Sequence, residues 1–267
     1  MPILHLALVA LIQGITEFLP ISSSGHLILL PGLTGLEDQG LAIDVAAHIG
    51  TLFAVVLFYR REVVRLLNGG AKLATAQSNH SDARLALLLA IATIPVVIAG
   101  LLIKLSGLDE VLRSVLVIGI MTLAFGIILG IADRRGPETK EMSDWTIRGA
   151  VILGLWQMIA LIPGASRSGV TITGARFLEF ERHDAVRIAM LMSIPTIIAS
   201  GVLIVPDIAF NTPGVLRDIA IVAALSFGAA LAALALMVRL LDAVSFTPYV
   251  IYRIVLGTGL IIFAIAA

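Results

Sequence analysis

The sequence predicts an all-α polytopic membrane protein of inverted-topology repeats, each a broken or re-entrant helical hairpin followed by three transmembrane helices. Three observations lead there. The 267 residues are 59% hydrophobic and only 13% charged, with mean hydropathy +1.05, whereas a soluble domain carries about 25% charge. Several stretches approach the roughly 20 apolar residues a helix needs to cross hydrocarbon. Two further apolar segments are interrupted by polar residues, proline and glycine. Membrane depth tolerates such backbone only where it is buried in protein or lines a cavity.

Taken in order, Ile3–Leu30 is the first interrupted segment, broken by Gln13, Glu17, Pro20, three serines, Gly25 and His26. Val45–Tyr59 is a short span ending on Tyr59-Arg60-Arg61, an interfacial anchor. Leu85–Ile103 and Val115–Ala132 follow, without a charge in either. Arg148–Thr173 is the second interrupted segment, broken by Gln157, Pro163 and "GASRSG". Ile188–Pro206, Ile219–Val238 and Tyr249–Ala267 complete six spans. Arg253, near the start of the last, is expected to snorkel to the cytoplasmic surface.

The interrupted segments match. Gln13 to Gly25 is twelve residues, as is Gln157 to Gly169, and each stretch carries a proline, a serine-rich turn and a glycine. An acidic residue, Asp44 or Asp184, then opens the next span. The chain reads as one membrane domain, 1–267, of two repeats, about 1–135 and 145–267, with a site expected at their interface.

Charge sets the orientation. With the loop 60–84 in the cytoplasm, Arg60, Arg61, Arg65, Lys72 and Arg84 lie inside. So do Arg134, Arg135, Lys140, Arg148, Arg176, Arg182, Arg187 and Arg239, against only Lys104, Arg113 and Arg217 outside. That is the positive-inside pattern. The loop 31–40 then falls outside, so the hairpins enter from opposite faces and their tips meet near the midplane. Formal net charge is zero, which suggests no nucleic-acid partner. There are no cysteines, hence no disulfide, thiolate metal site or cysteine nucleophile. Met-Pro-Ile-Leu-His lacks a basic leader, so the first apolar stretch is expected to belong to the fold.

The tips carry the chemistry. Gln13 and Glu17 stand one helical turn apart and share a face. Pro20 ends that helix; Ser22, Ser23 and Ser24 offer hydroxyls and caps, and Gly25 frees the backbone before His26. In the second tip Ser166, Ser168 and Gly169 form a similar turn after Gly164, and Arg167 adds a planar fork suited to phosphate. A helix N-terminus also favours anions. Carboxylate, hydroxyls, imidazole and guanidinium together suit phosphoryl transfer. Glu17 with Gln13 offers oxygen ligands to one divalent cation. Asp44 and His48, one turn apart, are candidates to line the cavity.

Known serine-hydrolase patterns do not fit. Gly164-Ala165-Ser166 is followed by Arg167, and residue 168 is serine where a nucleophile elbow needs glycine. A secondary transporter or lipid flippase is the rival class, since inverted repeats with broken helices are common there.

"QGITEFLPISSSGHL" and "PGASRSGVTIT", with "DVAAHIGTLFAVVLFYRRE" and "SFTPYVIYR", resemble the undecaprenyl-diphosphatase family of the bacitracin-resistance type. The resemblance spans nearly the whole chain. It implies a bacterial plasma (inner) membrane phosphatase that recycles the lipid carrier for peptidoglycan and other envelope polymers. It also implies a polyprenyl diphosphate substrate and a divalent cofactor, Mg²⁺ or Ca²⁺, while the charge-based orientation leads one to expect a site opening to the periplasmic side. Carried over, the metal motif falls on Gln13 and Glu17, with glutamine where some members have glutamate. Ser23 falls on the nucleophile, His26 on the base, and Ser166 and Arg167 on the diphosphate. Ser22, Ser24, Gly25, Gly164, Ser168, Gly169 and Thr171 fall on its surroundings. The only protein partner entertained is a second copy, as a homodimer.

Overall fold

A computed structural model of the protein describes residues 1–35, 37–75, 80–108, 112, 114–208 and 214–266. Helices α1 (Ile3–Thr16) and α2 (Ser23–Thr34) form the first broken hairpin. They are followed by α3 (Leu41–Phe58), α4 (Arg60–Ala74), α5 (Ser81–Ser106) and α6 (Val115–Arg135). The second half runs α7 (Ile147–Met158), α8 (Arg167–Phe177), α9 (Arg182–Ile204), α10 (Val215–Leu241) and α11 (Thr247–Ala266). Among the described residues there is no strand, only an isolated bridge between Lys140 and Phe180.

Six helices, α3, α5, α6, α9, α10 and α11, are long and apolar enough to cross a membrane. They are the six expected spans, and the first begins at Leu41 rather than Val45. Local chemistry sets their ends. Ser114 accepts from the Val117 amide at 3.2 Å to cap α6, and Thr146 accepts from Gly149 at 3.1 Å to cap α7. Gly107, at φ 69°, ends α5 in the left-handed conformation.

Lipid gives no hydrophobic drive for one helix to leave it for another, so close backbone approach does the packing. The extensive pairs are α3 on α10, α6 on α11, α1 on α10 and α5 on α7. A Cβ at Gly50 of α3 would stand 2.2 Å from the Ala223 carbonyl of α10. One at Gly257 of α11 would stand 2.6 Å from the Leu123 amide of α6. Exchange of the halves turns the α1–α10 pair into α7–α5 and α6–α11 into itself. The first arms of the two hairpins, α1 and α7, are thereby braced in equivalent ways, whereas α8 packs on α6 and α9 more extensively than α2 packs on any span.

One expectation changes, and one of the counted charges proves to be buried. The region 60–84, read as a loop, contains α4. Its Val63 and Leu66 pack on the core while Arg60 and Arg61 stay exposed. Arg176, counted with the cytoplasmic charges, is 1% exposed. It donates to the carbonyls of Phe180 (2.5 Å) and Gly136 (2.7 Å) and pairs with Asp133 (3.6 Å) and Glu138 (3.4 Å). Asp133 also takes Arg182 at 2.7 Å and the Phe246 amide at 3.2 Å. This ionic knot ties the ends of α6, α8 and α9 to the turn before α11. Such burial is tolerated because each charge is paired and hydrogen-bonded. Arg113, counted among the outside charges, lies outside the described residues.

Candidate active site

The two hairpin turns are built alike. Ser22 and Ser166 sit at φ 74° and 70°, a region that side-chain-bearing residues seldom occupy. Each is the N-cap of the following helix. Ser22 Oγ accepts from the Gly25 amide at 3.4 Å, and Ser166 Oγ from the Gly169 amide at 3.2 Å. In each, the cap hydroxyl also meets the serine two residues on, at 3.3 Å (Ser24) and 3.1 Å (Ser168). The Ser-x-x-Gly spacing seen in both halves is thus one repeated cap.

The turns meet. Ser168 Oγ donates to the Leu19 carbonyl at 2.9 Å, and Arg167 of the second tip forms an ion pair with Glu17 of the first. Glu17 Oε2 accepts from Ser23 Oγ at 2.6 Å and from the Gln13 amide at 2.9 Å. His48 Nε2 lies 3.8 Å from the same oxygen. The other ring nitrogen of His48 stands 2.8 Å from the Asp44 carbonyl, which places its proton on Nδ1. Arg167 is steadied by the Ser193 carbonyl at 3.0 Å. A carboxylate, its hydroxyl donor and a guanidinium from opposite ends of the sequence thus share one buried point.

That point opens onto a cavity of about 640 Å³. Glu17, Ser22, Ser23, Ser24, Ser166 and Arg167 line its polar end, and Asp44 and His48 its α3 wall. Asp38, Gln39, Thr196 and Ser200 add polar groups along the walls, and the rest of the lining is apolar, including Leu52, Ile198 and Val202. Ile198 and Val202 are 51% and 72% exposed, so the apolar end continues to the lipid-facing side of α9. A charged headgroup with an apolar chain fits this division.

Other expected residues take different places. The Thr171 hydroxyl donates to the Arg167 carbonyl at 2.7 Å and lies outside the cavity lining, as does Ser168. Gly25 and Gly169 commit their amides to the caps, and Gly164 commits its carbonyl to Thr122 and Arg253. His26 is also outside the lining. Its Nδ1 meets the Ser22 carbonyl at 2.6 Å and its Nε2 the Tyr252 hydroxyl at 2.5 Å, with the rings stacked 5.7 Å apart. The carbonyl requires a proton on Nδ1, so Nε2 accepts from Tyr252. Neither nitrogen is directed at Ser23.

Arg253 is the residue that sequence reasoning misplaced. It does not snorkel. It is 0% exposed on a helix whose membrane window is only 17% buried. Its fork donates to Pro20 (3.1 Å) of the first turn, Gly164 (3.0 Å) and Ala165 (2.9 Å) of the second, and Thr122 (3.1 Å) of α6. A Cβ at Gly169 would stand 2.6 Å from its Nη1.

Among the described residues no group of three or more His, Asp or Glu side chains forms a metal cage. The donors do fit a hard cation shared with a phosphate, held by one or two protein oxygens. Glu17 provides a carboxylate, and the buried Gln13 Oε1 has no hydrogen-bond partner.

Membrane-length helices around a buried carboxylate–guanidinium pair and two serine-capped turns define a polytopic membrane protein with a polar site where its two turns meet. The chain belongs to the bacitracin resistance protein BacA family, whose model matches residues 6–259. It is 62% identical over 265 residues to the undecaprenyl-diphosphatase of Ruegeria sp. (strain TM1040), covering 99% of each chain. It is 58% identical to that of Dinoroseobacter shibae and 44% to that of Hahella chejuensis, each over 265 residues and 99% of both chains.

Proposed function

We propose that the protein is an integral membrane phosphatase that hydrolyses undecaprenyl diphosphate to undecaprenyl phosphate and inorganic phosphate. It would regenerate the lipid carrier for cell-wall synthesis, and bacitracin resistance would follow. The observation that carries this reading is the convergence of Ser23, Glu17 and Arg167 beside a cavity whose far end is apolar and reaches lipid. A transporter needs the charges but not a serine hydroxyl held 2.6 Å from a carboxylate.

In this mechanism Ser23 Oγ attacks the terminal phosphorus and its proton passes to Glu17 Oε2. The bond from that phosphorus to the bridging oxygen breaks, undecaprenyl phosphate leaves, and water then cleaves the phosphoserine. Arg167 and amides of the two turns receive the charge that builds on phosphate. Attack by a water activated by His26 is the weaker route, because both ring nitrogens are engaged. Mg²⁺ or Ca²⁺ would be held by Glu17 and Gln13 and would supply charge neutralisation. All these groups come from one chain, so the chemistry asks nothing of a second copy.

The site is read as opening to the periplasmic side of the inner membrane. The residue pattern supports this, since segment 31–40 carries no lysine or arginine. Asp38, exposed in that segment, is the position to label. The test of function is phosphate release from farnesyl or undecaprenyl diphosphate by the purified protein. Wild type releases phosphate, and Arg167→Ala loses at least about 100-fold. No release by wild type, or undiminished release by the variant, sinks the assignment.

A further inference from the structure

Arg253 presents an unusual account of charge. Glu17 and Arg167 neutralise each other across the tips. Arg253 has no carboxylate partner among the described residues; its partners are carbonyl oxygens. An ionised group at membrane depth is costly and as a rule finds a counter-charge or marks a functional site. Around the two turns one positive charge is therefore left over.

Its position matters as much as its sign. Arg253 lies behind the turns and outside the cavity lining, while Ser22 and Ser166 line the cavity. In a planar trans peptide the carbonyl and the following N–H point in opposite directions. The Ala165 carbonyl points at Arg253. The Ser166 N–H therefore points away from it, and no acceptor takes that N–H among the described residues. The guanidinium thus pulls the carbonyl end of this peptide inward and fixes its donor end outward. On the first turn it holds the Pro20 carbonyl, two residues ahead of Ser22, and the N–H of that peptide, on Ile21, is taken by the Leu19 carbonyl at 2.7 Å, so there it fixes the turn without freeing a donor.

We infer that Arg253 is a positioning residue for the diphosphate site: its fork sets both serine-capped turns in their strained conformations and aims the Ser166 peptide donor, and the bound phosphate supplies the counter-charge it lacks. This rests on the diphosphatase reading above. Arg253 touches no reacting atom. It acts through peptides that face the phosphate, and its charge is felt there because little water intervenes.

The test uses the purified full chain with two substitutions. R253K keeps the charge but replaces the fork with a single ammonium, which does not reach both turns in the same geometry. R253M removes the charge. Three quantities are read: kcat and KM on farnesyl diphosphate, thermal stabilisation by inorganic pyrophosphate, and the unfolding midpoint without ligand. R253K is expected to lose about 10- to 100-fold in kcat with a small change in KM, and R253M to bind pyrophosphate at least about tenfold more weakly. A merely structural strut lowers the ligand-free midpoint and leaves the pyrophosphate affinity of the folded protein at the wild-type value. That result overturns the inference. Should R253M not fold, R253K decides: wild-type kcat with wild-type pyrophosphate affinity refutes it. If wild type releases no phosphate the diphosphatase reading fails, and the pyrophosphate arm still decides whether Arg253 governs an anion site.

Discussion

Glu17→Gln separates what the buried pair does for folding from what it does for chemistry. In the native protein one carboxylate takes Arg167, the Ser23 hydroxyl and the Gln13 amide, at side-chain exposures of 6% for Glu17 and 14% for Arg167. A glutamine keeps the shape but not the charge. Its NH₂, with the oxygen kept on Arg167, faces Ser23 and Gln13, which accept only after the hydroxyl rotates and the amide flips. Breaking a buried pair from one side costs about 3–5 kcal/mol, because the remaining charge is stranded. At roughly 2–4 °C per kcal/mol for a chain of about this size, the unfolding midpoint should fall by about 6–20 °C. Removing the stranded charge as well, in Glu17→Gln/Arg167→Met, should restore most of the lost stability. Phosphate release should stay at background in both variants. The assay is thermal unfolding in detergent alongside phosphate release from farnesyl diphosphate. A wild-type midpoint for the single variant, or a double variant as unstable as the two singles summed, would refute the claim that the pair is energetically coupled.

Gly169→Ala drives a Cβ to 2.6 Å from Arg253 Nη1 and should destabilise by about 1–3 kcal/mol, whereas Gly70→Ala, with open space around it, should be neutral or slightly stabilising by unfolding midpoint. Ser22→Ala and Ser166→Ala each remove one cap, and a stability loss of about 1 kcal/mol, read as a lower unfolding midpoint, is expected, with hydrolysis reduced as well. EDTA should abolish phosphate release and added Mg²⁺ or Ca²⁺ restore it, and Gln13→Ala should raise the metal concentration needed; release that ignores EDTA removes the cation from the mechanism. A cysteine at Asp38 should label from outside the cell and one at Arg61 only after permeabilisation, and the reverse would invert the topology.

How much of this was legible depended on whether the cause was local. The two turns could be found because proline, serine cap and glycine must sit at fixed spacing within one stretch of chain, and the Gln13–Gly25 and Gln157–Gly169 windows carry that spacing twice. Glu17 and Arg167 were legible because a charge within an apolar run is conspicuous. Helix α4 was passed over because a search for long apolar runs does not register an amphipathic helix that alternates Arg60, Arg61 and Arg65 with Val63 and Leu66. Arg253 departs from expectation for another reason. A place near the start of a span suggests a side chain that reaches the surface, whereas this one is satisfied by carbonyls. Those of Arg253 lie up to 233 positions away, and no window contains that partner. The base role of His26 is an expectation from the resemblance alone, and its hydrogen-bond partner Tyr252, 226 positions distant, lies in no window around that motif.

The place of Arg253 in the chain has a consequence for the order of synthesis. Ser22, Glu17 and Ser23 leave the ribosome first, and Ser166 and Arg167 more than a hundred residues later. Both turns still lack their shared anchor until α11 has been made and laid against α6. A nascent chain that already holds every residue proposed to touch the phosphate therefore remains without a set site. Competence arrives late and in one step, with the insertion of the helix that carries Tyr252 and Arg253.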